Sequence, residues 1–165
     1  MRFGIILAAL LAVVPVSAQA AETFDNPKSL VTAIFENYQP GKLAGDAAVY
    51  YSERLKGLFD EAVANKVFTN DAAMSGAEFT PATVFNPFLP EDKSALLFDL
   101  AIGEATTLDN RAVVNVSYQN FDQPRLLSIA MIREGDGWKV DDVASLGTED
   151  HWLLSWALAY DPTGF

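Results

Sequence analysis

The chain has 165 residues, of which 22 are Asp or Glu and 11 are Lys or Arg, so its formal net charge at pH 7 is −11. This charge repels phosphate backbones and anionic lipid headgroups, which argues against nucleic-acid binding and against membrane docking through basic residues. Half of the residues are hydrophobic and none is Cys. We therefore expect a globular core that is stable without disulfides, and neither a thiol nucleophile nor a Cys-based metal site.

The first twenty residues have the three parts of a secretory signal peptide. Arg2 is followed by an apolar run over residues 3–14 and by the small-residue motif Ala-Gln-Ala at residues 18–20. An apolar run of about a dozen residues is shorter than the roughly 20 that cross a bilayer. We expect cleavage after Ala20 or Ala21 and a protein that is periplasmic or secreted in a Gram-negative bacterium, without stable membrane insertion.

The mature chain begins with predicted helices. Asn26 and Pro27 mark a helix start, because Asn caps helices and Pro suits the first helical position. A second helical stretch over residues 46–64 is predicted to break near Ser52, which can cap a new helix. In the first helix, apolar residues recur at one-turn spacing and define one buried face: Leu30, Val31, Ile34, Phe35 and Tyr38.

The segment over residues 66–93 has no regular periodicity. An irregular link of this length is either functional, for instance as a lid, or a segment whose Phe side chains fill the core. Both interpretations stay open. The segment contains three Pro residues and four Phe residues, namely Phe68, Phe79, Phe85 and Phe88.

From residue 96 onward apolar and polar residues alternate, which predicts strands with one buried face. Turn residues at 120–124 and 134–137 separate the strands and indicate an antiparallel meander. The first strand is predicted to place Phe98 and Leu100 on one face and Asp99 on the open face. The four predicted strands cover residues 96–102, 111–119, 125–133 and 138–143.

A closing helix is predicted over residues 149–158, with Thr148 as its cap and with Trp152 and Trp156 one turn apart. The only histidine, His151, falls in the first turn of this helix. It lacks a second His or a positioned carboxylate, so we interpret it as a surface residue and expect neither a metal site nor a cofactor.

Residues 21–165 are predicted to form a single α+β domain with its core over about residues 27–158. Its N-terminal helices are expected to cover one face of a curved antiparallel sheet of about four strands. This arrangement often gives a cone-shaped domain.

Three motifs resemble those of exported bacterial proteins in the domain of unknown function number 3828 family. The family is similar to the nuclear transport factor 2-like (cystatin-like) superfamily, so the resemblance implies a cone-shaped fold over residues 27–158 and carries no established reaction. The motifs are Tyr50-Tyr51-Ser52-x-x-Leu55, Val84-Phe85-Asn86-Pro87-Phe88 and Gly137-Trp138-Lys139-Val140-Asp141-Asp142-Val143.

Asp142 is the strongest candidate for acid–base chemistry. Neighbouring strand residues point to opposite faces, so Asp142 faces the interior if Trp138 and Val140 do, and Asp141 then faces away. A carboxylate inside an apolar cone has a raised pKa and can move a proton. The alternative is that Asp142 accepts structural hydrogen bonds at the strand end.

Several aromatic residues could line a pocket together with Asp142, although aromatics at helical spacing are also typical of a core. In an enzyme, Tyr38 or Tyr51 would donate a hydrogen bond to the substrate and Asp142 would be the catalytic acid or base. The complete candidate ligand-binding set is Tyr38, Tyr51, Phe59, Trp138 and Asp142.

The sequence therefore predicts an exported, non-catalytic module that binds a small apolar ligand or a periplasmic protein. One alternative is a cone-pocket isomerase, dehydratase or hydrolase, and another is an inhibitor or immunity-type protein. A protein partner, or a second copy in a homodimer, would contact the open sheet face, for which we expect Val113, Leu127, Ile129 and Met131.

Overall fold

The computed structural model describes residues 23–36, 47–65, 86–89, 97–147 and 151–159. These residues form an α+β fold, as predicted. The helices are α1 (Pro27–Glu36), α2 (Glu53–Ala64) and α3 (Leu154–Ala159), with a short 3₁₀ helix at Ala47–Tyr50. The strands are β1 (Leu97–Ile102), β2 (Thr106–Leu108), β3 (Arg111–Asn120), β4 (Gln123–Glu134), β5 (Gly137–Leu146) and β6 (His151–Leu153).

The starts of α1 and α2 confirm the predicted caps. The Asn26 side chain accepts a hydrogen bond from the Lys28 backbone N–H at 2.8 Å, and the Ser52 hydroxyl accepts one from Leu55 N–H at 3.0 Å. Both bonds satisfy backbone donors that have no partner within the helix. Tyr38 lies outside the described residues. None of the described helices is long and apolar enough to span a bilayer.

The sheet is antiparallel, with strand order β1-β3-β4-β5-β6 and with β2 paired to β3. Within the described residues it has six strands where four were predicted, because β2 and β6 have only three residues each and show no periodicity. The predicted closing helix is wrong at its start. Residues 151–153 pair with β5 instead, so Trp152 lies opposite Ser145 and the helix begins at Leu154.

The two faces of the sheet differ sharply in burial. One row across β3, β4 and β5 joins Val114, Ile129 and Val143, which are fully buried. We call this side the core face, and its apolar residues share one cluster with side chains from α1, α2 and α3. The next row along β3 starts at the exposed Val113 and continues through Ala130. We call this side the outer face.

The predicted partner-contact face is wrong for three of its four residues. Leu127, Ile129 and Met131 are buried on the core face, whereas Val113 is exposed. Sequence alternation shows which residues of a strand share a face. It does not show which of the two faces the helices cover. The pairing register of β3 with β4 places Leu127, Ile129 and Met131 on the covered face.

Strand β1 departs from simple alternation. Its pairing with β3 shifts between Phe98 and Ala101, and Asp99 within the shift has a φ of 52°. Leu97 and Ile102 therefore pack against the core, while Phe98 and Leu100 are exposed. The bulge explains why the face predicted for Phe98 and Leu100 is not the one that packs against the core.

Four residues of the irregular segment 66–93 are described, namely Asn86 to Leu89. The side chain of Phe88 is only 1% exposed and belongs to the core cluster. For this residue the core-filling interpretation is confirmed. Phe68, Phe79 and Phe85 lie outside the described residues.

Candidate functional site

A β-bulge in β5 sets the direction of the two candidate carboxylates. Met131 of β4 pairs with Val140 and the adjacent Ala130 pairs with Asp142, so Asp141 is an extra residue on β5. The extra residue reverses the alternation beyond Val140. Asp142 therefore falls in the outer-face row with Ala130, and the prediction that it follows Val140 into the interior is wrong.

The carboxylate of Asp142 caps the start of α3. It accepts hydrogen bonds from the Ser155 backbone N–H at 3.0 Å and from the Ser155 hydroxyl at 2.6 Å. A third bond comes from Val143 N–H at 2.9 Å. Ser155 is the second residue of α3, where unpaired N–H groups favour a negative charge. The side chain of Asp142 is 17% exposed, and its oxygens have structural partners.

Asp141 holds the start of α2 through hydrogen bonds from side chains. Its carboxylate accepts hydrogen bonds from the Ser52 hydroxyl at 2.8 Å and from Arg54 Nε at 2.9 Å. The Arg54 side chain also donates to the Asp141 carbonyl and lies 4.0 Å from the Asp142 carboxylate. We call Ser52, Arg54, Asp141, Asp142 and Ser155 the bulge cluster.

The charge of Asp141 is stabilised in this position. Burial raises the pKa of its carboxyl, but the hydrogen bonds from Arg54 and Ser52 and the positive charges of Arg54 and Arg111 outweigh burial. The net result is a pKa below the ordinary value. The pKa of Arg54 is raised, mainly by its hydrogen bond to Asp141. Asp141 is therefore an ionised partner of Arg54 at neutral pH, whereas acid–base catalysis needs a pKa near the working pH.

The aromatic candidates lie in the core. Tyr51, Phe59 and Trp138 are each less than 5% exposed. The Tyr51 and Phe59 rings stack with centroids 5.1 Å apart, and the Tyr51 ring also packs against Phe88 at 6.2 Å. The structure thus brings together Tyr51 and Phe59 of the predicted set, and Phe88 joins them.

His151 lies in β6 opposite Leu146 and is exposed. Its predicted place on a helix is wrong, and its surface position is confirmed. Within the described ranges, no three His, Asp or Glu side chains lie close enough together to hold a metal ion.

The outer face carries large apolar side chains that solvent reaches. They are distributed over β1 to β6, and the register places them on the same side as the exposed positions of β3. They are Phe98, Leu108, Val113, Leu126, Leu146 and Leu153.

The charged residues of this face follow a clear pattern. On β3, β4 and β5, the outer-face positions between the turns hold two cations, Arg111 and Lys139, and two acids, Asp142 and Glu134. The Glu134 carboxylate accepts a hydrogen bond from Glu53 N–H at the start of α2. Both acids are therefore paired with helix starts. Other acids stand at the turns around the face, as Asp109, Asp122 and Asp136.

Comparisons of this chain with protein-family models, with curated proteins and with solved structures find no match. The resemblance to the domain of unknown function number 3828 family therefore stays a prediction. The bulge cluster includes Arg54 and Ser155, which the sequence analysis did not select. The predicted helix cap at Ser52 is a sequence signal for the part of the cluster at the start of α2. No sequence signal points to Ser155.

Proposed function

We propose that this chain is an exported, non-catalytic module that binds another protein through the outer face of its sheet. The observation that carries the proposal is the set of six large apolar side chains exposed on that one face. Exposed apolar patches of this kind are typical of interaction sites. Residues 1–20 support export by their signal-peptide pattern.

The size of the face suits a stable complex. Five strands lie side by side in the order given above, and β3, β4 and β5 have 10 to 12 residues each. At ordinary strand spacing and rise, this face measures roughly 20 Å by 34 Å. Its area is close to the roughly 800 Å² that each partner contributes to a standard protein interface.

The charges indicate the chemistry of the partner. The face has large exposed apolar side chains on every strand, with polar Asn115 and Ser128 between them, and exposed acids at three of its turns, Asp109, Asp122 and Asp136. A partner that combines apolar side chains with basic residues opposite the turns would complement this distribution. A second copy would bring the same acids and a further net charge of −11, so a different protein is favoured over a homodimer.

The contacts of Asp142 support a non-catalytic role. An acid–base catalyst needs a carboxylate that reaches a substrate, whereas the Asp142 carboxylate accepts three hydrogen bonds from Val143 and Ser155. The alternative of a cone-pocket isomerase, dehydratase or hydrolase rests on Asp142 and so gains no support from its position. A cone-shaped, nuclear transport factor 2-like fold remains part of the proposal, supported by helices that contribute to the core on one sheet face.

Site-specific photo-crosslinking in the cells that make the protein tests the proposal. A photoreactive residue replaces Leu153 on the outer face in one variant and Asp60, which is exposed on α2, in the control. We expect one discrete adduct from position 153 and none from position 60. An adduct of twice the chain mass would show that the partner is a second copy of this chain and not a different protein. Equal adducts from both positions, or none from position 153, would overturn the proposal.

A further inference from the structure

We infer that the interior of this domain contains a binding site for one small, neutral aromatic molecule and that the ring of Phe88 occupies this site in the structure. The inference concerns the core face and is independent of the proposed protein contact on the outer face. It assigns a position and a ligand class to the small-ligand alternative.

The surroundings of Phe88 are those of an aromatic-ring site. Its ring packs against Tyr51 at 6.2 Å and an interplanar angle of 48°, and Tyr51 stacks on Phe59. On the other side, the Tyr118 hydroxyl donates to the Phe88 carbonyl at 3.4 Å, and the Tyr118 ring packs against Phe35 at 6.3 Å. Buried rings with a polar group at the edge are the usual lining of a site for a small aromatic ligand.

The segment that carries Phe88 satisfies its own backbone hydrogen-bond donors. We call residues Asn86 to Leu89 the knob. The Asn86 side-chain oxygen accepts hydrogen bonds from Phe88 N–H at 2.9 Å and from Leu89 N–H at 3.2 Å. Pro87 has no N–H. These backbone donors are thus satisfied inside the knob, which belongs to neither a helix nor a strand.

Withdrawal of the knob would therefore leave the hydrogen bonds of the sheet and of the described helices intact. It would remove Phe88 and Leu89 from the core and break the long bond from Tyr118. A ligand ring in the vacated position would restore the apolar burial. The ligand competes with Phe88, so its apparent affinity depends on how often the knob is withdrawn.

Indole is a suitable probe, and the test compares purified wild type with three variants by calorimetric titration. Asn86→Ala removes the bonds that hold the knob together and leaves the ring site untouched. We expect wild type to bind one equivalent of indole and Asn86→Ala to bind it about 3- to 10-fold more tightly, because the loosened knob withdraws more often. Phe88→Ala, which lacks the competing ring, is expected to bind more tightly still.

Cleavage by chymotrypsin at Phe88 provides a second readout. Indole should speed this cleavage in wild type, because bound indole keeps the knob withdrawn. Phe59→Ala is the matched control: it opens a cavity beside Tyr51 while the knob stays in place, so indole bound there should not speed cleavage. Indole binding by Phe88→Ala without binding by wild type would show that Phe88 is a fixed core residue. That result, or equal affinities of wild type and Asn86→Ala, would overturn the inference.

Discussion

Asp142 and Ser155 join the sheet to the C-terminal helix through two hydrogen bonds to one carboxylate, at 3.0 Å from the Ser155 backbone N–H and 2.6 Å from its hydroxyl. The pair connects residues 13 positions apart across β6. Because the carboxylate caps the first turn of α3, we expect it to contribute to the stability of the fold.

Replacement of Asp142 by Ala should therefore lower the free energy of unfolding by about 1–2 kcal/mol. Urea denaturation followed by circular dichroism measures this change. Asp60→Ala is the matched control because Asp60 is exposed on α2, and its effect should stay within about 0.5 kcal/mol. Equal unfolding midpoints for Asp142→Ala and wild type would contradict the capping role.

Asp141→Asn should destabilise the protein in a pH-dependent way. The pKa of Asp141 is lower in the folded chain than its ordinary value, so its charged form favours folding. This contribution is present above the ordinary pKa of about 4 and is lost as the pH falls through the lowered folded pKa. We expect a loss of about 1–2 kcal/mol at pH 7, limited by the half-exposed Arg54 partner, and a shrinking difference below about pH 4. Urea unfolding at pH 7, 5 and 3 measures it, and a pH-independent difference would be the contrary result.

Replacement of two glycines by alanine should change the free energy of unfolding in opposite directions. A Cβ at Gly137 would lie 2.8 Å from the Thr23 methyl group and 3.2 Å from the Phe24 backbone nitrogen. Gly137→Ala should thus push away the segment around Phe24, whose backbone carbonyl accepts a hydrogen bond from Trp138 N–H. We expect this to lower the free energy of unfolding by about 1 kcal/mol. A Cβ at Gly57 in α2 meets no atom within 4 Å, so Gly57→Ala should stabilise by about 0.5–1 kcal/mol. Thermal unfolding of both variants checks the signs.

Phe121 at the turn between β3 and β4 combines exposure with backbone strain. Its φ is 56° and it is 54% exposed, although bulky side chains avoid this left-handed region. Phe121→Asn should raise the free energy of unfolding by about 0.5–1 kcal/mol, because Asn tolerates the conformation better. Phe98→Asn is the control, since Phe98 is also exposed and has no positive φ. A matching gain in the control would trace the effect to the exposed ring and refute the strain argument.

The parts of the fold that depend on local sequence could be predicted. The caps at Asn26 and Ser52 act within one helical turn, and the alternation in β3 needs only its own residues. The bulge at Asp141 could not be predicted, because an extra residue is defined only by the pairing of β5 with β4. That single residue moves Asp142 from the predicted interior to the outer-face row, where its hydrogen bonds to Val143 and Ser155 agree with the structural alternative for this carboxylate.

Contacts distant in sequence explain the other differences. Residues 151–153 resemble the start of a helix locally, yet they pair with the end of β5. Similarly, nothing in the residues around Ser155 indicates that its N–H will meet Asp142. The orientation of Leu127, Ile129 and Met131 was wrong because the side on which helices pack is a property of the whole domain.

The claim that the outer face binds a partner is tested most directly by the yield of the Leu153 photo-adduct in a Leu126→Lys background. Leu126 is exposed, so Lys at this position should change the free energy of unfolding by less than about 0.5 kcal/mol. A charge in the middle of an apolar contact should nevertheless reduce the adduct yield at least about tenfold. An unchanged yield from a stably folded Leu126→Lys variant would contradict the proposed contact surface.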